Sequence, residues 1–407
     1  MKIYKSHKIK LYPTKSQEVF FKKSCGVARF SYNWGLSRWK ELYEAGEKVS
    51  YYSLDKELRR LKHTQFTFIE EVGKCCHQYA IVNLNRAFQG FFKKQSRYPK
   101  FKKKGMKDSF VCIENNDQYI NHLLINKKLW VPKLGYVKTA ENFRFINSKV
   151  LSIKIVRRAN LWFTVINCEI EKEDIPVKNE NQVIVGIDLG ISNLVTTSND
   201  KFYQNPKALK SKLKQLKRYH KSLSRKKKGS NNYNKQKIKL SRLYYKISCI
   251  RETNIHQITR EIVDNSDIIV LEDLNVRGMV KNKHLSQSIS DSNFGEIRKQ
   301  FEYKCNWNNK QFILADRFYP STKTCSNCGN LKSNIKLSDR VYICDNCNLE
   351  LDRDLNAALN LKQYGINLLT TTSKSEESKA SGEESTIDSF KSQFSSSLKE
   401  ETPKVEA

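Results

Sequence analysis

The chain has 407 residues, enough for two or three compact domains of roughly 100–200 residues with real cores, which excludes a peptide or a stapled miniprotein. Its 74 Lys and Arg against 42 Asp and Glu leave a formal net charge of +32, and 11% of the residues are aromatic. A folded chain with so strong a positive field is matched to phosphate, so nucleic acid is favoured as the partner over a membrane surface.

Residues 1–10 are already basic and strand-like, with no apolar run of signal length, and no segment approaches about 18 apolar residues. The expectation is a cytosolic protein, nucleoid-associated if prokaryotic, with no membrane partner. In that compartment thiols stay reduced, and clustered cysteines serve metals or catalysis. Of the eleven cysteines only four cluster with ligand spacing; Cys25, Cys75, Cys76, Cys112, Cys168, Cys249 and Cys305 are scattered and read as small core residues.

Residues 8–12 alternate Lys, Ile, Lys, Leu, Tyr, a half-buried strand ended by Pro13. Helical patterning follows from about Ser16, with Val19, Phe20, Val27, Phe30, Trp34 and Leu42 apolar and a stop at Gly46. A second helix is expected over 52–61 and a third over 70–92. The third carries Ala80, Leu84, Ala87, Phe88 and Phe91 on one stripe, with Lys74, Gln78, Asn85 and Gln89 off it. Next come Lys93, Lys94 and Arg97, then Tyr98-Pro-Lys-Phe-Lys-Lys-Lys104. Interleaved basic and aromatic residues make either a solvated loop or one that grips a nucleic-acid backbone, through Arg97, Lys100, Lys102, Lys103 and Lys104. From 109 to 170 short β-rich runs recur (129–131, 151–156, 162–170), the last two joined by an Arg-Arg-Ala-Asn turn. They imply a small β-barrel or sandwich into which the helices are inserted. Residues 171–182 read as a polar linker.

The second half holds two continuous apolar runs, 183–187 and 268–271, of the kind found in buried α/β strands. Between them, 201–251 contains 18 Lys or Arg and no acid, with Leu209, Leu213, Leu216 and Leu223 at helical spacing. A helical hairpin with one packed and one cationic face fits this better than disorder, its break falling at 226–234 around Gly229. Arg225, Lys226, Lys227 and Lys228 at that turn are candidate nucleic-acid contacts. The tail 371–407 has five Lys, eight acids and few apolar residues, and is expected to be disordered.

Two constellations carry chemistry. Cys325-Ser-Asn-Cys328 and Cys344-Asp-Asn-Cys347 have the spacing of a four-thiolate zinc site, and four thiolates leave no open position for water or substrate. The second is a set of carboxylates. Asp188 ends Val-Ile-Val-Gly-Ile-Asp and Glu272 ends Ile-Ile-Val-Leu-Glu; an acid closing a buried strand is costly unless it meets a cation. Parallel neighbours would bring both to one sheet edge. Strand alternation turns Asp273 to the opposite face from Glu272. A third acid comes from Asp352 or Asp354 at the start of a helical pattern that stops at Gly365, and either could instead be its N-cap. Three such carboxylates suit two magnesium ions and phosphodiester hydrolysis. A transposase or recombinase that joins as well as cuts strands, and a binding regulator without turnover, are the alternatives.

Gly186-Ile-Asp-Leu-Gly190, Leu271-Glu-Asp-Leu-Asn275, the two CxxC pairs and Asp352-Arg-Asp-Leu-Asn-Ala-Ala358 occur in an order that resembles the TnpB family, transposon-encoded relatives of type V CRISPR effectors. Gly26-Val-Ala-Arg-Phe-Ser-Tyr-Asn-Trp34 and Pro99-Lys-Phe-Lys-Lys-Lys104 extend the likeness over residues 1–369. The resemblance implies an α+β and α/β multidomain fold: a wedge β-barrel (1–14 and 93–180) with a helical recognition insertion (15–92). A RuvC-type RNase H-like domain (181–317 and 351–369) follows, with a basic insertion (201–251), a zinc-ribbon-like module (318–350) and a tail (370–407). It also implies Asp188, Glu272 and Asp354 as catalytic magnesium ligands, since Asp354 stands in the family position before x-Asn-Ala-Ala. Cys325, Cys328, Cys344 and Cys347 become ligands of one zinc ion. The implied partners are a guide RNA encoded near the gene and double-stranded target DNA beside a short adjacent motif, for which Lys74 and Gln78 are candidate readers. A monomer is favoured.

Overall fold

The computed structural model describes residues 2–114, 124–145, 148–172, 182–336 and 339–380. They divide into two compact units, Met1–Pro176 with Ala208–Thr253, and Val177–Lys207 with Asn254–Ala407.

In the first unit β1 (Lys2–Tyr12) is longer than its alternating segment predicts, because it pairs antiparallel with β7 from Lys2↔Glu171 to Leu11↔Trp162. Pro13 ends it, and Thr14 opens α1 (Lys15–Glu44) with a capping box: Thr14 Oγ1 accepts from Gln17 N and Gln17 Oε1 from Thr14 N. Ser50 caps α2 (Tyr51–Leu61) in the same way. The third helix, α3 (Cys75–Phe92), starts later than its periodicity predicts; a 3-10 turn over Thr67–Glu71 buries Ile69 first. Six further strands are β2 (Ser109–Glu114), β3 (Leu124–Ile125), β4 (Lys128–Val131), β5 (Gly135–Thr139), β6 (Lys149–Arg158) and β7 (Leu161–Glu171). A two-residue turn joins β6 and β7, with Ala159 and Asn160 both at positive φ, as the twist of a tight hairpin requires. The sheet order is β2-β6-β7-β1-β5-β4-β3. Among the described residues no pairing joins β3 to β2, so the expected barrel is a curled half-barrel, with α1 and α3 packed against the sheet around Phe21, Leu84, Phe110 and Trp162 and α2 against those two helices.

The basic stretch also packs with this unit. Its first residues form a strand of the second unit and the helices begin at Ala208, giving α4 (Ala208–Ser224) and α5 (Asn231–Asp264). Leu216, Leu240, Leu243 and Ile247 meet between them while the lysines face outward.

The second unit is built on β8 (Ile184–Asp188), β9 (Asn193–Thr197), β10 (Lys201–Gln204), β11 (Ile268–Glu272) and β12 (Gln311–Ala315), ordered β10-β9-β8-β11-β12. The last three are parallel and the first two antiparallel. Three helices follow β11: α6 (Val276–Met279), α7 (Ser286–Ser292) and α8 (Phe294–Trp307). Val185, Ile187, Ile269 and Leu271 pack against Ile258, Ile262, Phe294 and Phe301 on one face. On the other, Ile268, Val270 and Ile313 meet Leu361 of α9 (Arg353–Ala380). Helices on both faces explain why these strands read as unbroken apolar runs. A two-stranded piece, β13 (Val341–Ile343) with β14 (Glu350–Asp352), completes the unit.

Helix α9 lies on the backbone of β8: a Cβ at Gly186 would stand 2.1 Å from Ala358 O and 2.4 Å from Lys362 N. Gly186→Ala therefore has to push α9 off the sheet, and an overpacking loss of about 1–3 kcal/mol or more is expected, read as a lower urea midpoint. Gly365 does not end the helix as expected. Its missing Cβ would be 2.5 Å from Val270 Cγ2, so it is a close-contact glycine inside a helix that continues to Ala380. The expected disordered tail thus overlaps helix over 371–380, and its remainder, 381–407, lies outside the described residues, as do 173–181 of the expected linker. Among the described residues no helix is long and apolar enough to cross a membrane.

Candidate active site and metal centre

Asp188 and Glu272 are the last residues of parallel neighbours whose register runs from Ile268↔Ile184 to Leu271↔Ile187, so the next step sets the two carboxylates side by side at one sheet edge. Asp354 reaches the same place from the first turn of α9; its Oδ2 lies 3.6 Å from where a Cβ on Gly190, two residues past Asp188, would stand. Asp188 is only 9% exposed. Burial raises its pKa well above the ordinary carboxylate range, and the charges of Asp354 and Glu272 push further in that direction, with Arg353 opposing them. Glu272 is also raised, by burial and then by Asp273.

The rival acids have other partners. Asp352 Oδ1 accepts the N–H of Asp354 at 2.9 Å and of Leu355 at 3.0 Å, so it is the N-cap of α9. Asp273 is held by Arg298 and Arg317. Losing a cap costs about 1 kcal/mol. Asp352→Asn, which keeps a capping oxygen, should hold that stability where Asp352→Ala loses it, as thermal melts of both variants would show.

The four cysteines converge. All their Sγ atoms lie within 4.8 Å of one another, with Cys325–Cys347 and Cys328–Cys344 at 3.6 Å. Sulfurs about 2.3 Å from a central tetrahedral ion would stand about 3.8 Å apart, so the set fits one metal ion. Among the described residues it is the one group of metal-ligating side chains gathered so tightly. The Asn of each pair serves the other pair: Asn327 Nδ2 donates to Cys347 Sγ and Asn346 Nδ2 to Cys328 Sγ, both at 3.6 Å. Backbone and Asn346 donors bring the Cys328 thiol down to about 6, as a thiolate ligand requires.

Sequence reasoning missed the residues that join this module to the carboxylates. Asn356 and Asn360, buried one turn apart on α9, bond into the segment before and within the first CxxC pair. Asn356 Nδ2 donates to Thr324 O at 2.8 Å and Asn356 Oδ1 accepts Ser326 N at 3.0 Å. Asn360 Nδ2 donates to Ser321 O at 2.7 Å. Their i, i+4 spacing inside an apolar helical pattern was the available signal, since a buried amide needs partners. Arg353, 3.2 Å from Asp354 Oδ1, was also missed.

The remaining candidates belong to the first unit. Lys74 is exposed at the start of α3, whereas Gln78 is half-buried. Arg97, Lys100, Lys103 and Lys104 are exposed, as are Arg225, Lys227 and Lys228, with Lys226 half-buried. Lys102, exposed as a residue, differs from its neighbours: its ammonium lies 3.7 Å from the Tyr32 ring centroid and desolvation there lowers it to about 8.

A mixed sheet with acidic strand ends and an attached zinc-ribbon-like cysteine cluster, able to hold one metal ion, defines a mixed α/β protein of two compact units. A family model described as "Probable transposase" matches residues 166–283, and one described as "Cas12f1-like, TNB domain" matches 294–361. A third, described as a helix-turn-helix domain, matches 1–48, where the structure has β1 and the single uninterrupted helix α1. Two relatives bear the name "Putative RNA-guided DNA endonuclease". One, from Streptomyces pristinaespiralis, is 32% identical over 89% of this chain and 90% of its own length. The other, InsQ of Escherichia coli, is 30% identical over 90% and 93%. The chain belongs to the TnpB family. Its fold is similar to that in the "Cryo-EM structure of the Cas12f1-sgRNA-target DNA complex", with a TM-score of 0.55 at 15% identity, covering 89% of this chain and 99% of that one.

Proposed function

We propose that the protein is an RNA-guided DNA endonuclease whose second unit is a RuvC-type, RNase H-like nuclease domain, with Asp188, Glu272 and Asp354 as its catalytic carboxylates. The observation that carries this is the burial of Asp188 at a sheet edge where Asp354 and Glu272 add negative charge. Such a cluster is unfavourable by itself and becomes favourable around hard cations. An all-oxygen carboxylate set fits magnesium. Magnesium, when bound, would supply an activated water and stabilise the leaving oxygen in phosphodiester hydrolysis. The chain's own residues do the positioning. Asp352 fixes the start of α9, Arg353 orients Asp354, and Arg298 with Arg317 draws Asp273 aside, leaving Glu272 for the metal edge.

The four thiolates would hold zinc in a structural role, with all four positions filled. The cationic surfaces at 97–104 and 225–228 would carry the RNA and the RNA–DNA duplex by their backbones, and base pairing would read the sequence. Lys74 and Gln78 remain the candidates for the adjacent motif, Lys74 the more accessible. The guide is an RNA encoded near the gene, the setting a transposon, the compartment the cytoplasm, and a monomer the favoured working form.

The test is cleavage of a plasmid library with a fixed target beside randomised bases, by protein co-expressed with its flanking RNA, with Glu272→Gln in parallel. Magnesium-dependent cutting next to one motif, lost in the variant, is expected. Cutting without RNA would replace this reading with a structure-specific nuclease, joined products would favour a transposase, and bound RNA without any cutting would favour a regulator.

A further inference from the structure

The first unit contains a cavity of about 450 Å³ among α1, α3, β2, β6 and the loop that follows α3. That volume lies in the range of about 300–1,000 Å³ typical of small-molecule sites. Its walls combine two chemistries. Tyr32, Tyr79 and Phe101 supply aromatic faces, and Lys102, Lys103 and Lys154 supply ammonium groups.

Cation and acid are unequal here. The one carboxylate in the lining, Asp108, is already engaged by Gly105 N at 3.0 Å, Arg29 at 3.7 Å and Arg157 at 3.9 Å. Among the described residues none of Lys102, Lys103 and Lys154 makes an ion pair. Lys102 is nonetheless held in place: Asn33 Oδ1 accepts its N–H at 2.8 Å, Asn33 Nδ2 donates to its carbonyl at 3.0 Å, and its ammonium is turned onto Tyr32. Burial lowers the pKa of both Lys102 and Lys154, so keeping these cations inward has a desolvation cost that an anion would relieve.

We infer that this cavity is a nucleotide-binding pocket: it takes one unpaired nucleotide, its base against Tyr79 and Phe101 and its phosphate between Lys102, seated on Tyr32, and Lys154. Every base has a π-face, so stacking accepts a base without pairing it, and the lysines fix the phosphate. The inference deepens the nucleic-acid-handling reading and rests on it only for the source of the nucleotide. A strand and a free nucleotide offer the same chemistry.

Full-length protein stripped of RNA, at physiological salt, is titrated with a fluorescent 5′-phosphorylated RNA trinucleotide and its DNA counterpart. Competition uses uridine monophosphate, uridine or inorganic phosphate. Uridine monophosphate should compete, with uridine and phosphate each weaker by about tenfold or more, because each lacks one half of the recognition. Lys102→Ala and Lys154→Ala should each weaken binding by about tenfold, whereas Lys56→Ala, an exposed lysine on α2, should change it by less than roughly twofold. Tighter binding of trinucleotides than of the monophosphate assigns the pocket to a strand, equal binding to a free nucleotide, and both uphold it. The inference is overturned if uridine monophosphate does not compete, if both pocket variants melt and bind like the parent, or if Lys56→Ala loses as much. Because no cutting is measured, binding can hold while the nuclease reading fails, and the reverse.

Discussion

Asp188→Asn should abolish magnesium-dependent cleavage and, in magnesium-free buffer at neutral pH, make the protein harder to melt. The first effect follows from removing a charged ligand at the centre of the carboxylate cluster; several kcal/mol of transition-state stabilisation correspond to a loss of about 10³-fold or more. The second follows from burial. Asp188 has its pKa raised by desolvation, then by Asp354 and Glu272, so the folded state holds its proton more tightly than the unfolded chain does. That contribution to stability is fully present below the unfolded pKa of about 3.9 and is lost as pH rises through the raised folded value. Glu272, also raised, acts with the same sign. The parent should therefore lose stability as pH rises across this window, while the Asn variant, with no proton to lose there, keeps more of it. Added magnesium should raise the melting temperature of the parent and leave the variant nearly unmoved, because only the parent binds the ions well. Melting curves for both proteins over a pH series, with and without magnesium, check all of this. A variant that melts lower than the parent at neutral pH would mean that Asp188 is an ordinary structural carboxylate.

What could be read in the sequence followed from periodicity and charge. The apolar runs ending in Asp188 and Glu272 are legible because helices cover both faces of the sheet, leaving no polar alternation. The same runs locate the acids, since a carboxylate closing a buried strand is the anomaly. The basic hairpin was legible from four leucines, and its break was found where Gly229 lies, at positive φ. Gly365 was not legible: a glycine that ends a helix and one that lets a helix lie on a strand look identical until the strand is in place. Sheet closure is equally non-local, for nothing in β2 or β3 alone says whether they pair. Lys102 and its neighbours read as one cationic loop, yet the geometry turns only that ammonium onto a ring, a distinction set by Asn33, 69 residues away.

Loss of the metal from the cysteine cluster should disable cleavage without unfolding the rest of the second unit. The module has little else to hold it: β13 and β14 have three residues each, and its core is Cys325, Tyr342 and Cys344 with Ile335 and Leu349 beside them. A structural zinc ion in so small a unit contributes about 10–16 kcal/mol, which is the module's folding free energy. The consequence reaches the carboxylates through α9. Asn356 and Asn360 are bonded to backbone at Ser321, Thr324 and Ser326, and Asp352, at the end of β14, caps the turn that carries Asp354. When the module melts those buried amides lose their partners, and a displacement of about 1 Å at Asp354 is enough for a loss of about 10²-fold. Cys344→Ser is therefore expected to lack zinc, to be cut readily by protease within 321–350, and to cleave DNA at least that much more slowly, with most of its far-UV circular dichroism intact because the five-stranded sheet has its own core. Asn360→Ala separates the metal from its message. It should keep zinc and the protease resistance of the module yet lose part of the cleavage rate, since only the tie to α9 is cut. A zinc-free Cys344→Ser protein that cleaves like the parent, or an Asn360→Ala variant that is fully active, would show that the module does not position Asp354.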